Sequence, residues 1–346
     1  MSEKLLSIIV PSYNMEKYLP KCLGSLVVAP ELMRQLEVLV VNDGSKDRTS
    51  EIAHEFAAKW PRTFQVIDKE NGNYGSCINA ALPVASGLYV KVLDADDWFE
   101  TAAFEHYLRQ LDTRAEADLI LSDYDKVDPA GRQIEHLASP FRHEGVFDVD
   151  DFLVKGSRIS MHAFAYRREV LVKLGYRQLE GVSYTDTEWV LLPLLNVRTV
   201  SYIPSCVYKY LCGREGQTME TGTVNKNWWM LGDIALHMVE QFLRMKDFAD
   251  GQVQDNIRRR ISSMLESVYR TGLIRVGVRE AGRYLRDFDT RLKALSIDWY
   301  NDFSNVGYSR FIPFHFIRRW REGDRFVAPI LQGCKFSTDI GRLLKR

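Results

Sequence analysis

Three carboxylates within four residues are the part of this chain best suited to chemistry. Asp94, Asp96 and Asp97 directly follow the apolar run Leu88–Leu93, which predicts a buried strand that ends in an acidic loop. Carboxylate oxygens are the ligands that Mg²⁺ and Mn²⁺ prefer, and such ions commonly carry diphosphates. Because an acidic loop is also an ordinary solvated turn or helix cap, the cluster alone leaves both interpretations open.

Polar loops also follow the apolar runs upstream. The runs Leu5–Val10 and Leu36–Val41 predict buried strands, and polar residues follow each of them at 11–14 and 42–47. Helical spacing separates these strands, and another strand is expected at Phe64–Ile67. Strands that alternate with helices predict an α/β fold with a doubly wound, mostly parallel sheet. Ligands of such sheets bind outside the carboxyl ends of the strands, which is where these loops converge.

The pattern becomes mixed after the acidic loop. We expect a helix at Thr101–Leu111, a hairpin within Val127–Val146, and two strands at Val200–Ile203 and Val207–Tyr210. From Asn225 onward the spacing of apolar residues is mainly helical. The sheet is therefore expected to be followed by a C-terminal helical extension.

The composition is that of a soluble globular protein. The 346 residues are 46% hydrophobic and 27% charged, and the formal net charge is zero. A neutral chain gives no global sign of nucleic-acid binding. Five dispersed cysteines without a C-x-x-C pair favour reduced thiols over a disulfide framework or a zinc site. No signal peptide or membrane-spanning run is recognisable in the sequence. We therefore expect a protein that works in the cytoplasm or at the cytoplasmic surface of the membrane.

Three blocks of the sequence together resemble the signature of a known family. The blocks are 8–14 (IIVPSYN), 40–47 (VVNDGSKD) and 92–98 (VLDADDW). In order and spacing they resemble family-2 glycosyltransferases with the GT-A fold, and the combination is far more specific than any single block. The resemblance is strong over about residues 5–100, weakens to about 220 and is absent beyond.

The resemblance implies an inverting transferase that uses a nucleotide-diphosphate sugar and a divalent metal, Mn²⁺ or Mg²⁺. It implies a GT-A domain at 1–222, with the nucleotide-sugar half at about 1–100 and the acceptor half at about 101–222. The remainder, 223–346, is then the mainly helical region. A glycan or a lipid-linked molecule is the expected acceptor in this family.

The residues of the first half suit a nucleotide donor. Tyr13 can stack on a base while the backbone around Pro11 bonds the edge of that base, although a half-buried loop tyrosine is an equal alternative. Asp43 can accept a pyrimidine N–H, which favours UDP, or it can form an Asx turn. From the resemblance, Asp94 faces the ribose or reaches the metal through water, and Asp96 binds the metal directly.

Inverting transfer also needs a general base for the acceptor hydroxyl. In the family this base is an Asp in a Glu-Asp-x-x-aromatic block at a helix start, and 185–189 (TDTEW) matches the block except at Thr185. The match places Asp186 at the base position, with Glu188 as the second candidate. Trp189 takes the aromatic position, either as a platform for the acceptor sugar or as a core residue. Asp186 could also be only a helix cap.

Two further residues and one segment are candidates for binding. The glycine-bearing loop 210–218 resembles the family's flexible loop over the donor, where Arg214 would bind the diphosphate, and a surface arginine is the equal alternative. His162 could line the acceptor side, although a lone histidine is more often structural. Residues 310–346 hold nine Lys/Arg and three Asp/Glu. This basic stretch either lies on an anionic membrane face or packs as a helical cap.

Three other classes of function are alternatives to this one. A sugar nucleotidyltransferase would carry a Gly-rich, Arg/Lys-containing loop after the first strand, where this chain has 11–14 (PSYN). A dehydrogenase would carry G-x-G-x-x-G there, which is absent. A non-catalytic protein that binds nucleotide-sugars or glycans stays open, although the intact acidic set argues against a decayed site. That set is Asp43, Asp94, Asp96 and Asp186.

Overall fold

The chain divides into two compact units. A computed structural model describes residues 4–114, 116–141, 143–154, 160–214, 227–308 and 314–333. One unit comprises Met1–Thr218 with Met245–Asn256, and the other comprises Met219–Arg244 with Ile257–Arg346. The boundary expected at residue 222 lies outside the described residues.

The first unit is built on a ten-stranded mixed sheet. Its strands are β1 (Leu6–Ser12), β2 (Leu36–Asp43), β3 (Phe64–Lys69), β4 (Tyr89–Val92), β5 (Trp98–Phe99), β6 (Leu119–Val127), β7 (Gln133–Leu137), β8 (Gly145–Asp148), β9 (Phe164–Arg167) and β10 (Thr199–Leu211). The order is β3-β2-β1-β4-β9-β6-β10-β5, with β7 paired to β6 and β8 to β10. Strands β1 to β4 are parallel, as is the β6–β10 pair, whereas β5, β7, β8 and β9 run antiparallel to their neighbours.

Helices connect these strands. They are α1 (Leu19–Gly24), α2 (Pro30–Met33), α3 (Thr49–Lys59), α4 (Asn73–Ala81), α5 (Thr101–Leu111), α6 (Val149–Val154), α7 (Arg168–Leu174) and α8 (Asp186–Leu191). Every residue of β1 and β2 is buried, as expected for parallel strands that are covered on both faces. The carboxyl ends of β1, β2 and β4 therefore meet at one edge and present their following loops there.

The expected elements of the second half are present with one difference. The helix at Thr101–Leu111 is confirmed, and so is the β6–β7 hairpin, in which Gly131 N–H donates to the Asp128 carbonyl at 2.8 Å. The two strands expected around residues 200–210 are instead one strand, β10. Pro204 separates the two apolar runs in the sequence, and the register against β6 shifts between Tyr202 and Cys206, so the strand continues past the proline.

The second unit is helical in its described part. The helices after residue 227 are α9 (Trp228–Met245), α10 (Gly251–Arg270), α11 (Val278–Leu295), α12 (Ile297–Asp302) and α13 (Phe316–Arg321), and a π-helical turn joins α10 to α11. The last residue of α9 and residues 251–256 of α10 belong to the first unit. Phe316, Ile317 and Trp320 of the basic stretch are buried. Among the described residues, no helix combines the length and the apolar character that crossing a bilayer requires.

A glycine in α4 fixes the approach of this helix to the segment before α8. A Cβ on Gly75 would lie 2.2 Å from the Leu179 carbonyl oxygen, whereas a Cβ on Gly24 would meet no atom within 4 Å. We expect Gly75→Ala to lower the free energy of unfolding by about 1–3 kcal/mol through overpacking, measured by urea denaturation. Gly24→Ala is the matched control and should change it by less than about 1 kcal/mol. Equal effects of the two changes would contradict this account of the contact.

Candidate functional site

The acidic loop after β4 is held by side chains from distant parts of the chain. Tyr74 of α4 donates its hydroxyl hydrogen to Asp94 Oδ1 at 2.9 Å. Tyr208 donates to Asp97 Oδ2 at 2.6 Å, and the Leu211 N–H donates to Asp97 Oδ1 at 2.8 Å. Both oxygens of Asp97 are thus occupied by β10, so this carboxylate ties the loop to the sheet.

The third carboxylate of the loop pairs with an arginine. Arg214 Nε donates to Asp96 Oδ2 at 2.5 Å, and the two side chains are only 13% and 12% exposed. The guanidinium carbon also lies 5.3 Å from the centre of the Tyr18 ring. The structure therefore brings Arg214 to the acidic loop, whereas the rest of the loop predicted to close over the donor, residues 215–218, lies outside the described residues.

The pKa of Asp94 depends on the burial of the loop and on the charges around it. Burial and then the negative charge of Asp96 raise the pKa of Asp94 to about 7, against the opposing hydrogen bond from Tyr74. The charge of Asp186 raises it further. Asp94, Asp96 and Asp186 therefore share one electrostatic environment, although Asp186 is far away in the sequence.

Asp186 is the first residue of α8 and is exposed to solvent. The surrounding protein removes part of the water around its carboxylate, and this desolvation raises the pKa of Asp186 to about 6. Hydrogen bonds from the N–H groups of Thr187 and of Asp186 itself oppose the shift. Glu188, the other candidate base, is fully buried and accepts the Leu179 N–H at 2.9 Å. Of the two carboxylates, only Asp186 is open to an approaching hydroxyl.

The interpretation of Trp189 as a core residue is the one that the structure supports. Its indole is 1% exposed and packs against Tyr166 and Tyr176, with ring centres 5.4 and 5.8 Å apart. The ring has no open face for an acceptor sugar. In α8 only the first two residues, Asp186 and Thr187, reach solvent, so the tryptophan at the fourth position faces the core. The sequence block gives no sign of that.

Asp43 at the end of β2 is part of a second polar cluster. Its Oδ1 accepts hydrogen bonds from Lys69 Nζ at 2.7 Å and from the Gly72 N–H at 2.9 Å. Its Oδ2 takes no hydrogen bond from the described residues. The Asx-type turn expected of Asp43 is made by its neighbour Asn42, whose Oδ1 accepts the Ser45 N–H at 3.1 Å. Lys69 was not among the predicted site residues, yet it is the cross-strand partner of Asp43 in the β2–β3 register.

Hydrogen bonds join the loop after β1 to the loop after β2. Asn14 N–H donates to Ser45 Oγ at 3.0 Å, and the Lys46 N–H donates to Asn14 Oδ1 at 2.8 Å. Tyr13 stands out of this contact with 46% of its surface exposed. Pro11 is still part of β1 and lies beside Val41 of β2. The geometry leaves the Tyr13 ring accessible to a flat ligand.

His162 lies next to the acidic loop. One ring nitrogen and one carboxylate oxygen each of Asp94 and Asp97 lie within 4.8 Å of one another. The imidazole stacks on Tyr210, with ring centres 4.4 Å apart, and burial lowers its pKa to about 3. A buried lysine fixes the segment, because Lys91 Nζ donates to the His162 carbonyl at 2.7 Å. His162 is therefore a neutral ring close to the predicted metal ligands.

The donor atoms of this site fit a divalent cation. One carboxylate oxygen each of Asp94 and Asp97 lies within 4.8 Å of the other, whereas Asp96, the second predicted ligand, is paired with Arg214. Hard carboxylate oxygens of this kind suit Mn²⁺ or Mg²⁺. Burial, and then the charge of Asp96, raise the pKa of Asp94, and a bound cation would favour its ionised form. A hard divalent ion thus matches both the ligand type and the electrostatics of the loop.

Residues 7–175 match the family model described as Glycosyl transferase family 2. The chain carries a family-2 glycosyltransferase domain. The resemblance drawn from the three sequence blocks is thereby confirmed, and the match extends well past the acidic loop into the second half of the sheet.

Known proteins agree with this assignment. The chain is 28% identical to the uncharacterized glycosyltransferase YibD of Escherichia coli over 216 residues, which are 60% of this chain and 62% of that protein. It is 27% identical over 228 residues to the minor teichoic acid biosynthesis protein GgaB of Bacillus subtilis, covering 64% of this chain and 25% of that protein. This chain spans less than two thirds of the length of these curated relatives.

A solved structure shares the fold. A crystal structure of S. aureus TarS in complex with UDP-GlcNAc matches with a TM-score of 0.63 at 22% identity, covering 92% of each chain. This likeness confirms the α/β fold class with its helical C-terminal region. It also reaches into the C-terminal part of the chain, where the sequence alone showed no resemblance.

Removing the charge of Asp94 should stabilise the protein, and more so at high pH. Folding raises the pKa of this carboxyl from 3.8 to about 7, so ionisation costs folded-state stability increasingly as the pH rises through that range. We expect Asp94→Asn, which still accepts a hydrogen bond from Tyr74, to gain about 2 kcal/mol more at pH 8 than at pH 5. The measurement is urea unfolding with a chelator present.

The control for this comparison is Asp247→Asn at an exposed position. It should show no pH-dependent gain of that size. A gain from Asp94→Asn that is equal at both pH values would mean that the acidic loop does not raise the pKa of this group.

Proposed function

We propose that this protein transfers a sugar with inversion from a nucleotide-diphosphate donor, with a UDP-sugar as first choice, to a hydroxyl of a glycan or lipid-linked acceptor. The observation that carries the proposal is the convergence of Asp94, Asp96 and Asp186 in one electrostatic environment. Two carboxylates for a metal-bound diphosphate and one accessible carboxylate for a proton are what such a reaction requires.

The donor nucleotide would lie across the loops after β1 and β2. Tyr13 offers an exposed ring for base stacking, and Asp43 Oδ2 is an acceptor for a pyrimidine N–H. Lys69 Nζ lies 2.7 Å from Asp43 Oδ1 and holds this carboxylate in place. The TarS complexes with UDP-GlcNAc and with UDP support UDP as the nucleotide to test first.

The acidic loop would receive the diphosphate. Asp96 would hold the divalent cation and Asp94 would assist or face the ribose; the cation would supply positive charge to the departing diphosphate. Arg214 is placed to add its own charge-assisted hydrogen bonds to the same group. The ion pair with Asp96 keeps this arginine beside the loop.

Asp186 would act as the general base. It takes the proton of the acceptor hydroxyl while the oxygen attacks the anomeric carbon from the face opposite the diphosphate, and the bond between that carbon and the diphosphate breaks. A carboxylate with a pKa of about 6 is a better base than an ordinary aspartate and is still ionised near neutral pH. His162, close to Asp94, would line the acceptor side as a neutral ring.

Calorimetric titration of UDP with and without Mn²⁺ tests the donor site. We expect binding to wild type that needs Mn²⁺, and a loss of at least about tenfold in affinity in Asp96→Asn because one metal ligand becomes neutral. Asp247→Asn serves as the exposed-carboxylate control. Binding of another nucleotide in place of UDP would overturn the donor, and binding independent of Mn²⁺ would overturn the role of Asp96.

Replacing the base tests the reaction. Asp186→Asn should leave the affinity for UDP unchanged and lower transfer by about 10²–10⁴-fold, because the hydroxyl loses its proton acceptor. The rate for wild type should fall as the pH drops through about 6, where Asp186 becomes protonated. Glu188→Gln, which can keep its bond to Leu179, is the matched control. Near wild-type transfer by Asp186→Asn would move the base role to Glu188.

A non-catalytic nucleotide-sugar-binding protein is the alternative to this proposal. It would bind UDP as strongly as the transferase does but release no sugar to any acceptor, and Asp186→Asn would then change nothing that can be measured. The accessible, raised-pKa carboxylate at Asp186 favours the transferase, because binding alone has no use for a base.

A further inference from the structure

The ring of His162 is fixed beside the acidic loop by several contacts. Its Nδ1 lies 2.6 Å from Ser160 Oγ. The ring stacks on Tyr210, with centres 4.4 Å apart, and meets the ring of Tyr208 edge to face at 4.7 Å. The backbone is fixed as well, because Lys91 Nζ donates to the His162 carbonyl at 2.7 Å. An imidazole with these contacts presents its remaining nitrogen in one direction.

The remaining nitrogen of His162, Nε2, takes no hydrogen bond from any residue that the structure describes. The side chain is only half-buried, so this nitrogen is not sealed inside the core. One ring nitrogen lies within 4.8 Å of one carboxylate oxygen of Asp94 and of one of Asp97. Because Ser160 engages Nδ1, Nε2 is the nitrogen that the ring has left for a ligand.

The two carboxylates beside this ring differ in the oxygens that they have left. Both oxygens of Asp97 accept hydrogen bonds from β10, whereas Asp94 accepts one at Oδ1, from Tyr74. Within the described ranges of the chain, Asp94 Oδ2 takes no hydrogen bond. Asp94 and His162 thus each keep one unpartnered atom at the acidic loop, and both atoms are of the kinds that bind metal ions.

The contact between His162 and Ser160 is the kind that accompanies a metal-binding histidine. Such a histidine donates its other ring N–H to a nearby oxygen, and this bond fixes both the tautomer and the direction of the ring. With Nδ1–H donated to Ser160 Oγ, the lone pair of Nε2 is available to a cation. A histidine that served only the fold would not need a free nitrogen beside carboxylates.

We propose that His162 is a ligand of the divalent cation, next to the carboxylates of Asp94 and Asp96, and that its nitrogen makes the site select Mn²⁺ over Mg²⁺. The proposal rests on the metal-assisted transfer proposed above and names the ion that its site prefers. Mg²⁺ is bound through oxygen and keeps much of its water, whereas transition-metal ions also accept imidazole. A nitrogen among oxygens therefore separates the two ions.

Replacing His162 by asparagine tests the selectivity. The asparagine amide can keep a hydrogen bond to Ser160 but has no atom at the position of Nε2. With UDP present, we expect His162→Asn to bind Mn²⁺ at least about tenfold more weakly, while its affinity for Mg²⁺ changes by less than about threefold. Free Mn²⁺ is measured by electron paramagnetic resonance and Mg²⁺ binding by calorimetry. His106→Asn, at an exposed position of α5, is the matched control and should change neither affinity.

Pulsed electron paramagnetic resonance of bound Mn²⁺ tests the bond itself. We expect a nitrogen coupling in wild type and in His106→Asn that changes when the histidines carry ¹⁵N, and no such coupling in His162→Asn.

Two results overturn the role of His162: Mn²⁺ bound to wild type without a histidine coupling, or an equal change of the Mn²⁺ and Mg²⁺ affinities in His162→Asn. Either result leaves the metal-assisted transfer standing. Wild type that binds neither ion in the presence of UDP would reject that transfer together with the role of His162.

Removing the hydroxyl of Ser160 tests how the ring is positioned. Ser160→Ala should keep the histidine coupling to Mn²⁺ but weaken Mn²⁺ binding by about tenfold, because nothing then fixes the tautomer and the direction of the ring. Its affinity for Mg²⁺ should stay near that of wild type. A variant that melts at a lower temperature and binds Mn²⁺ as wild type does would show that Ser160 serves the fold instead.

Discussion

The burial of an acidic loop is the constraint around which the first unit is organised. Asp97 is buried and Asp94 and Asp96 are half-buried, and a buried carboxylate without a partner would cost several kcal/mol. Each one is met by a donor from elsewhere: Tyr74 on α4, the end of β10, and Arg214 just beyond it. The position of the loop after β4 therefore depends on these hydrogen bonds to its carboxylates as much as on apolar packing.

The same arrangement separates the ionisation of neighbouring carboxylates. Asp97 is held in the sheet with its pKa raised well above the ordinary value, first by burial and then by the charges of Asp96 and Asp94. Asp94 and Asp186 are shifted to about 7 and about 6, while Asp43 is matched by Lys69. The carboxyls with raised pKa values thus lie at the acidic loop and at the start of α8, whereas Asp43 at the end of β2 is paired with a cation.

What the sequence could predict was local, and what it could not predict was long-range. Strand ends with polar loops are contiguous in the chain, so the edge where Asp43 and Asp94 meet followed from the parallel order of β1, β2 and β4. Lys69 could have been added from the strand register alone. Arg214 was predicted only through the resemblance of its loop. The partner Tyr208 was missed, because its position depends on how β10 crosses the sheet past Pro204, and no local pattern encodes that. Trp189 shows the same limit, since apolar spacing does not tell a platform from a core residue.

The two halves of the sheet differ in how completely their edges are paired. Strands β1 to β4 pair in parallel with their neighbours, and this pairing fixes the distances between the loops at their ends. In the second half, the short strands β7 and β9 share one edge of β6, and the buried Ser122 hydroxyl between them has no hydrogen-bond partner among the described residues. In the proposed function, the pairing of these short strands would shape the acceptor side, whereas the carboxylates after β2 and β4 and at the start of α8 would carry the chemistry.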